Sequence, residues 1–170
     1  MATLSPYKIP FLGLSVGFHT YEFELDDSFF AAYEFSEITH ADIQIDLELE
    51  KQSTMMVLRF ELGGVVETEC ARCGDPLEIE IEHSDRLIVK FGDTTGTSDD
   101  DILEISTSEH LLDLSQYLYE YAHLALPSRS VHEDEEDCNP DALDLLDDLG
   151  VDDDPDEPLD PRWDALKDLK

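Results

Sequence analysis

Apolar and polar residues alternate with a period of two through much of the first hundred residues, the pattern of strands that bury one face. In ADIQIDLELE, Ile43, Ile45, Leu47 and Leu49 share one side, while Asp42, Gln44, Asp46, Glu48 and Glu50 share the other. MMVLRFEL repeats the pattern with Met56, Leu58, Phe60 and Leu62, after a polar turn at Gln52 and Ser53. Gly63-Gly64 then predicts a tight hairpin, because glycine adopts the positive φ such turns need. VVETEC continues the meander, Leu77, Ile79 and Ile81 carry a further strand, and Leu87, Val89 and Phe91 extend it or form another. Tyr21, Phe23 and Leu25 mark an earlier strand, and residues 93–101 read as a polar loop. One-sided alternation predicts an antiparallel sheet with one wet face, either a curled sheet or a partly open barrel.

Two segments switch to helical spacing. DDSFFAAYEFSEI predicts a short helix capped by Asp27 or Ser28, with Phe29, Phe30 and Tyr33 buried. DLSQYLYEYAHLALP predicts a longer one. Asp113 and Gln116 have capping-box spacing, Leu114, Leu118, Tyr121, Ala122 and Ala125 form the buried stripe, Tyr117 and Leu124 widen it, and Pro127 ends it. The expected fold is therefore α+β, a mainly antiparallel sheet packed by one long and one short helix. Residues 1–131 form the expected β-rich domain and 132–170 an acidic tail with short helices. Within that tail Leu143, Leu145, Leu146 and Leu149 predict one acidic amphipathic helix. Trp163, Leu166 and Leu169 have the spacing of a second, which Pro161 would start and which could dock on the domain or on a partner.

Charge changes the picture most. The chain has 43 Asp+Glu against 10 Lys+Arg, a formal net charge of −33, with 41% hydrophobic residues to build a core. Between Glu133 and Asp160 there is no Lys or Arg at all. Such a field repels phosphate and argues against direct, broad docking on bare RNA or DNA, with no DNA or membrane partner expected, but it attracts a strongly basic protein. Three cysteines predict a reducing, cytoplasmic setting rather than a disulfide scaffold. The N-terminal stretch lacks the basic region of a signal peptide, and no apolar run approaches membrane-spanning length.

Candidate chemistry centres on Cys70-Ala-Arg-Cys73, with Gly74 behind it. Two thiolates at this spacing bite one metal, and zinc usually takes four ligands. The one further cysteine is Cys138 and the nearest imidazole is His132, so Cys70, Cys73, His132 and Cys138 are the candidate set for a structural zinc ion. Free thiols at a hairpin tip are the other reading of the pair. A thioredoxin-like role needs the pair to open a helix, and alternation resumes within four residues. The remaining histidines show no ligand or triad spacing, and no phosphate loop or nucleophile elbow is present, so the chain is expected not to be an enzyme. Arg59, Arg72, Arg86 and Lys90 cluster around the knuckle in sequence and are candidates for RNA contact, or solvated charges balancing nearby glutamates. Glu133, Asp134, Glu135, Glu136 and Asp137 are candidates for holding a basic partner, or a solvating run.

These motifs in this order resemble the YceD family of large ribosomal RNA accumulation proteins. TECARCGDPL supplies the Cys-x-Arg-Cys hairpin, LSQYLYEYAHLALP the helix ending in Leu126-Pro127, and SRSVHEDEEDC the segment with His132, Glu133 and Cys138. YKIPFLGLSVGFHTYEFELD and DPRWDALKDL resemble one bacterial branch, so the likeness spans nearly the whole chain. The chain departs from the family in having Gly74 after the second cysteine and a later cysteine cluster reduced to Cys138. The resemblance implies a cytoplasmic, non-enzymatic factor for accumulation of the large-subunit (23S) ribosomal RNA. Its implied partners are a basic large-subunit ribosomal protein, precursor large-subunit rRNA, or both.

Overall fold

The computed structural model describes residues 6–92, 96–99 and 102–149. Its elements are β1 (Lys8–Ile9), β2 (Gly17–Asp26), α1 (Asp27–Phe30), β3 (His40–Lys51), β4 (Met55–Glu69), β5 (Pro76–Gly92), β6 (Gly96–Asp99), β7 (Ile102–Ser106), β8 (Leu112–Asp113), α2 (Ser115–Leu124) and α3 (Pro140–Leu149), with a 3₁₀ turn at Glu135–Asp137. Six strands form one sheet in the order β2-β3-β4-β5-β7-β6, while β1 and β8 pair separately. All neighbours are antiparallel except β5 and β7.

The alternation translates directly into burial. Ile43, Ile45, Leu47 and Leu49 of β3 lie opposite Gly64, Leu62, Phe60 and Leu58 of β4 on the inner face, all but the glycine buried. Leu87 and Val89 of β5 continue the layer. On it packs α2, through Leu118, Tyr121 and Ala122, with Leu114 just before it also buried. Tyr121 meets Phe60 at 5.1 Å between ring centroids, and Tyr119 stacks on Tyr33 at 4.0 Å. Phe29 and Phe30 of α1 close the edge beside α2.

Several expectations need correction. Of the two expected forms, a curled sheet and a partly open barrel, the barrel is not formed: among the described residues the sheet is open, with β2 and β6 as its edges. Gly63 and Gly64 lie inside a fifteen-residue strand with no positive φ. What Gly64 provides is close approach: a Cβ there would sit 2.8 Å from Ile43 Cα and overlap the Asp42 carbonyl oxygen. Part of the expected 93–101 loop is strand, since Gly96–Asp99 pairs with β7 through backbone groups. The cap of α1 is Asp26, whose carboxylate accepts from the Ser28 and Phe29 amides. No capping box opens α2: Asp113 accepts from Ser115, and Gln116 turns to Glu120. Leu124 is exposed rather than part of the buried stripe. The expected leucine helix is α3, whereas the Trp163 segment lies outside the described residues. No helix among the described residues is long and apolar enough to cross a membrane.

Candidate metal centre

The tip of the β4–β5 hairpin is a turn built by its own residues. Gly74 has φ of 79°, a conformation that side chains resist, and its amide donates to the Cys70 carbonyl at 2.8 Å. The Cys70 amide donates to the Asp75 carbonyl at 2.8 Å, closing the loop that carries Cys70 and Cys73. Beyond α2 the chain returns to this tip. The Ala71 amide donates to the Ser130 carbonyl at 2.7 Å, which delivers His132 beside Cys73. The 3₁₀ turn then folds Cys138 inward until it is buried.

The donor atoms of Cys70, Cys73, His132 and Cys138 all lie within 4.8 Å of one another. A tetrahedral ion with ordinary zinc–sulfur and zinc–nitrogen lengths holds a sulfur and a nitrogen about 3.6 Å apart. The Sγ atoms of Cys73 and Cys138 lie 3.6 and 3.5 Å from His132 Nδ1, so the donors fit such an ion. Burial pushes the Cys70 thiol up, but the amides of Arg72, Cys73 and His132, aided by the Cys73 thiol, outweigh it and bring the group down to about 6. Burial and the neighbouring Cys73 raise the Cys138 thiol, against the pull of Arg72. Arg72, between the two knuckle cysteines, places Nη1 3.7 Å from Cys138 Sγ and 3.8 Å from Glu135. Three thiolates around a divalent ion leave one negative charge, and this half-buried guanidinium stands where it offsets it.

Sequence reasoning missed two supports. Asp75 fastens both sides, through its carbonyl to Cys70 and through its carboxylate to the Asn139 amide group at 3.5 Å. Asn139 also caps α3, accepting from the Asp141 amide at 3.1 Å ahead of Pro140 at the first helical position. The Asn-Pro pair was the available signal.

The four basic candidates do not form one group. Arg59 and Arg86 face each other across β4 and β5, with Lys90 on the same outer face of β5, but Arg72 belongs to the knuckle. Glu48 and Glu50 lie 3.0 and 3.7 Å from Arg59. Glu133, Asp134, Glu135, Glu136 and Asp137 are exposed around the turn before Cys138.

The outer face of the sheet is acidic in columns that only the strand register reveals. Glu22, Asp46 and Glu61 lie directly opposite one another across β2, β3 and β4. Asp26 faces Asp42, and Glu67 faces Glu78. Beside the first column is a cleft of about 1030 Å³ whose lining includes Asp46, Glu61, Gly63, Gly64, Glu80 and Glu82.

These features define an α+β domain in which a long hairpin tip and a returning C-terminal segment meet in a thiol–imidazole cluster, and whose sheet carries an acidic outer face. The chain belongs to the YceD family: the family described as large ribosomal RNA subunit accumulation protein YceD matches residues 58–170, well over half of it. That span holds all four cluster residues. No curated protein and no solved structure matches the chain.

Proposed function

We propose that this chain is a non-enzymatic, cytoplasmic factor in large-subunit biogenesis that holds a basic ribosomal protein on its acidic sheet face. The observation that carries the reading is the column Glu22–Asp46–Glu61. Like charges directly opposite each other destabilise a sheet, so three in register work against the fold unless a cationic partner meets them. The family's description supplies the large-subunit context. Zinc in the Cys₃His cluster would be structural: four protein donors leave no open coordination position for substrate. Its chemistry there is to tie the returning segment to the hairpin tip.

Direct contact with precursor rRNA is the second reading. In its favour are Arg59, Arg86 and Lys90 on one outer face, and Arg86 and Lys90 make no ion pair among the described residues. Against it, Glu48 and Glu50 already occupy Arg59, and the Glu22–Asp46–Glu61 column lies beside the group.

The test is binding of the purified protein to RNA-free total protein of large subunits, and separately to protein-free large-subunit rRNA, across a salt series. Screening length falls from about 10 Å at 0.1 M salt to about 3 Å at 1 M. Capture of a Lys- and Arg-rich protein at low salt, lost at high salt, is the expected result. Binding to the RNA alone would move the function to the arginine face and refute the holder reading.

A further inference from the structure

We infer that α3 is the anchor by which this protein grips its basic partner, its leucine face entering an apolar groove there. The inference rests on the proposed holder function and names the contact element.

The helix is sharply two-sided. At 100° per residue, Ala142, Leu145, Leu146 and Leu149 occupy one sector and Asp144, Asp147 and Asp148 lie across from it, with Asp141 and half-buried Leu143 at the two borders. Leu145, Leu146 and Leu149 are 58%, 49% and 70% exposed. Such a stripe ordinarily faces a core, yet none of the ten residues of α3 is buried.

Its charge says what covers the face. Carboxylates are unfavourable at a helix C-terminus, where the backbone already presents negative ends, and Asp147 and Asp148 stand in the last turn with no basic residue there. A ten-residue helix with this defect is marginal alone. Among the described residues it is fastened near its start, through buried Cys138 and the Asn139–Asp75 contact. A partner with lysines or arginines beside an apolar groove would bury the leucines and neutralise the last turn together. The required occupant is therefore a cationic protein surface. RNA, with neither property, is excluded as the partner of this face.

The test uses the full-length protein with a photo-crosslinking residue at position 146 or, on the acidic side, at 144. Each is mixed at low salt with RNA-free total protein of large subunits, and products are identified by mass spectrometry. Position 146 should join a Lys- and Arg-rich large-subunit protein, and position 144 should do so far less. Replacing Leu145, Leu146 and Leu149 together by serine should lower affinity for that protein by about tenfold or more, with the unfolding transition unchanged because these side chains are exposed. Crosslinking of position 146 to residues 150–170 of the same chain would overturn the inference, since the face would then be covered internally. Equal affinity of the serine variant and wild type would overturn it too, while salt-labile wild-type binding left the holder function standing. If wild type captures no basic protein at all, both fall.

Discussion

Replacing Cys138 by serine removes one of the four clustered donors at the point where the returning chain is pinned. The structure says which backbone groups should respond. Residues 130–143 hold to the hairpin tip through the Ala71–Ser130 bond, the Asn139–Asp75 contact and Cys138 itself, and α3 starts with the Ala142 and Leu143 amides donating to Asn139. Zinc at one hundred times its dissociation constant would stabilise the closed cluster by about 2.7 kcal/mol, roughly a hundredfold in the opening equilibrium. Amide hydrogen exchange at Ala71, Cys138, Ala142 and Leu143 should therefore slow by about that factor when zinc is added to wild type. The strands β3 and β4, whose protection comes from the sheet ladder and core, should not change. In Cys138→Ser the zinc response should largely vanish while the sheet stays folded, and bound zinc should fall from one ion per chain. A wild-type protein that retains no zinc, or a zinc response equal in both proteins, would refute the clip.

Three other outcomes follow from the geometry. Gly64→Ala should lose about 2–3 kcal/mol in urea unfolding, because its Cβ would overlap β3 backbone, whereas Gly63→Ala, whose Cβ would lie 3.7 Å from the Ile81 carbonyl, should be nearly neutral. Equal losses would contradict the close approach. Asp46→Asn and Glu61→Gln should each raise stability by about 0.2–1 kcal/mol by relieving the central column, and should weaken capture of the basic partner. A loss of stability would count against the column argument. His40 accepts no such neutral role: its bond to Asp27 at 2.9 Å, then the charges of Asp27 and Glu67, raise its pKa above 6.5, and the same bond with the Ala41 amide lowers Asp27 below 3.8. The histidine's share of stability is complete below pH 6.5 and lost as pH rises through its folded value; the aspartate's is present above pH 3.8 and lost as pH falls through its own. The pair should stabilise most between these limits, and the NMR titration of His40 should move down toward the free imidazole in Asp27→Asn, with Glu67 still holding part of the shift. An unshifted wild-type histidine would remove the argument.

What could be read from the chain follows from how far each signal reaches. Alternation in 43–49 and 56–62 reports burial residue by residue, so the two central strands were legible without their partners. The stripe Leu118–Tyr121–Ala122 was legible for the same reason. Gly63-Gly64 was not, because a glycine pair serves equally for positive φ and for close approach, and only the position of Asp42 on the neighbouring strand decides. Gly96–Asp99 carries no apolar pattern, so nothing in its sequence marked it as a strand. The donors Cys70, Cys73, His132 and Cys138 could be assembled by counting thiols and choosing the nearest imidazole. The role of Arg72 could not, as its approach to Cys138 depends on a return of the chain that no local pattern encodes. The acidic columns likewise exist only once register sets Glu22, Asp46 and Glu61 side by side.

The four clustered donors come from two places in the chain, His132 lying 59 residues after Cys73. A polypeptide is made from its N-terminus at about 5–20 residues per second. Cys73 is thus polymerised roughly 3–12 s before His132. During that interval Cys70 and Cys73 form an unfinished, two-donor site at the end of a nascent hairpin. Closure with His132 and Cys138 has to await the intervening strands and α2, so a filled cluster would record that the body of the domain has already been synthesised.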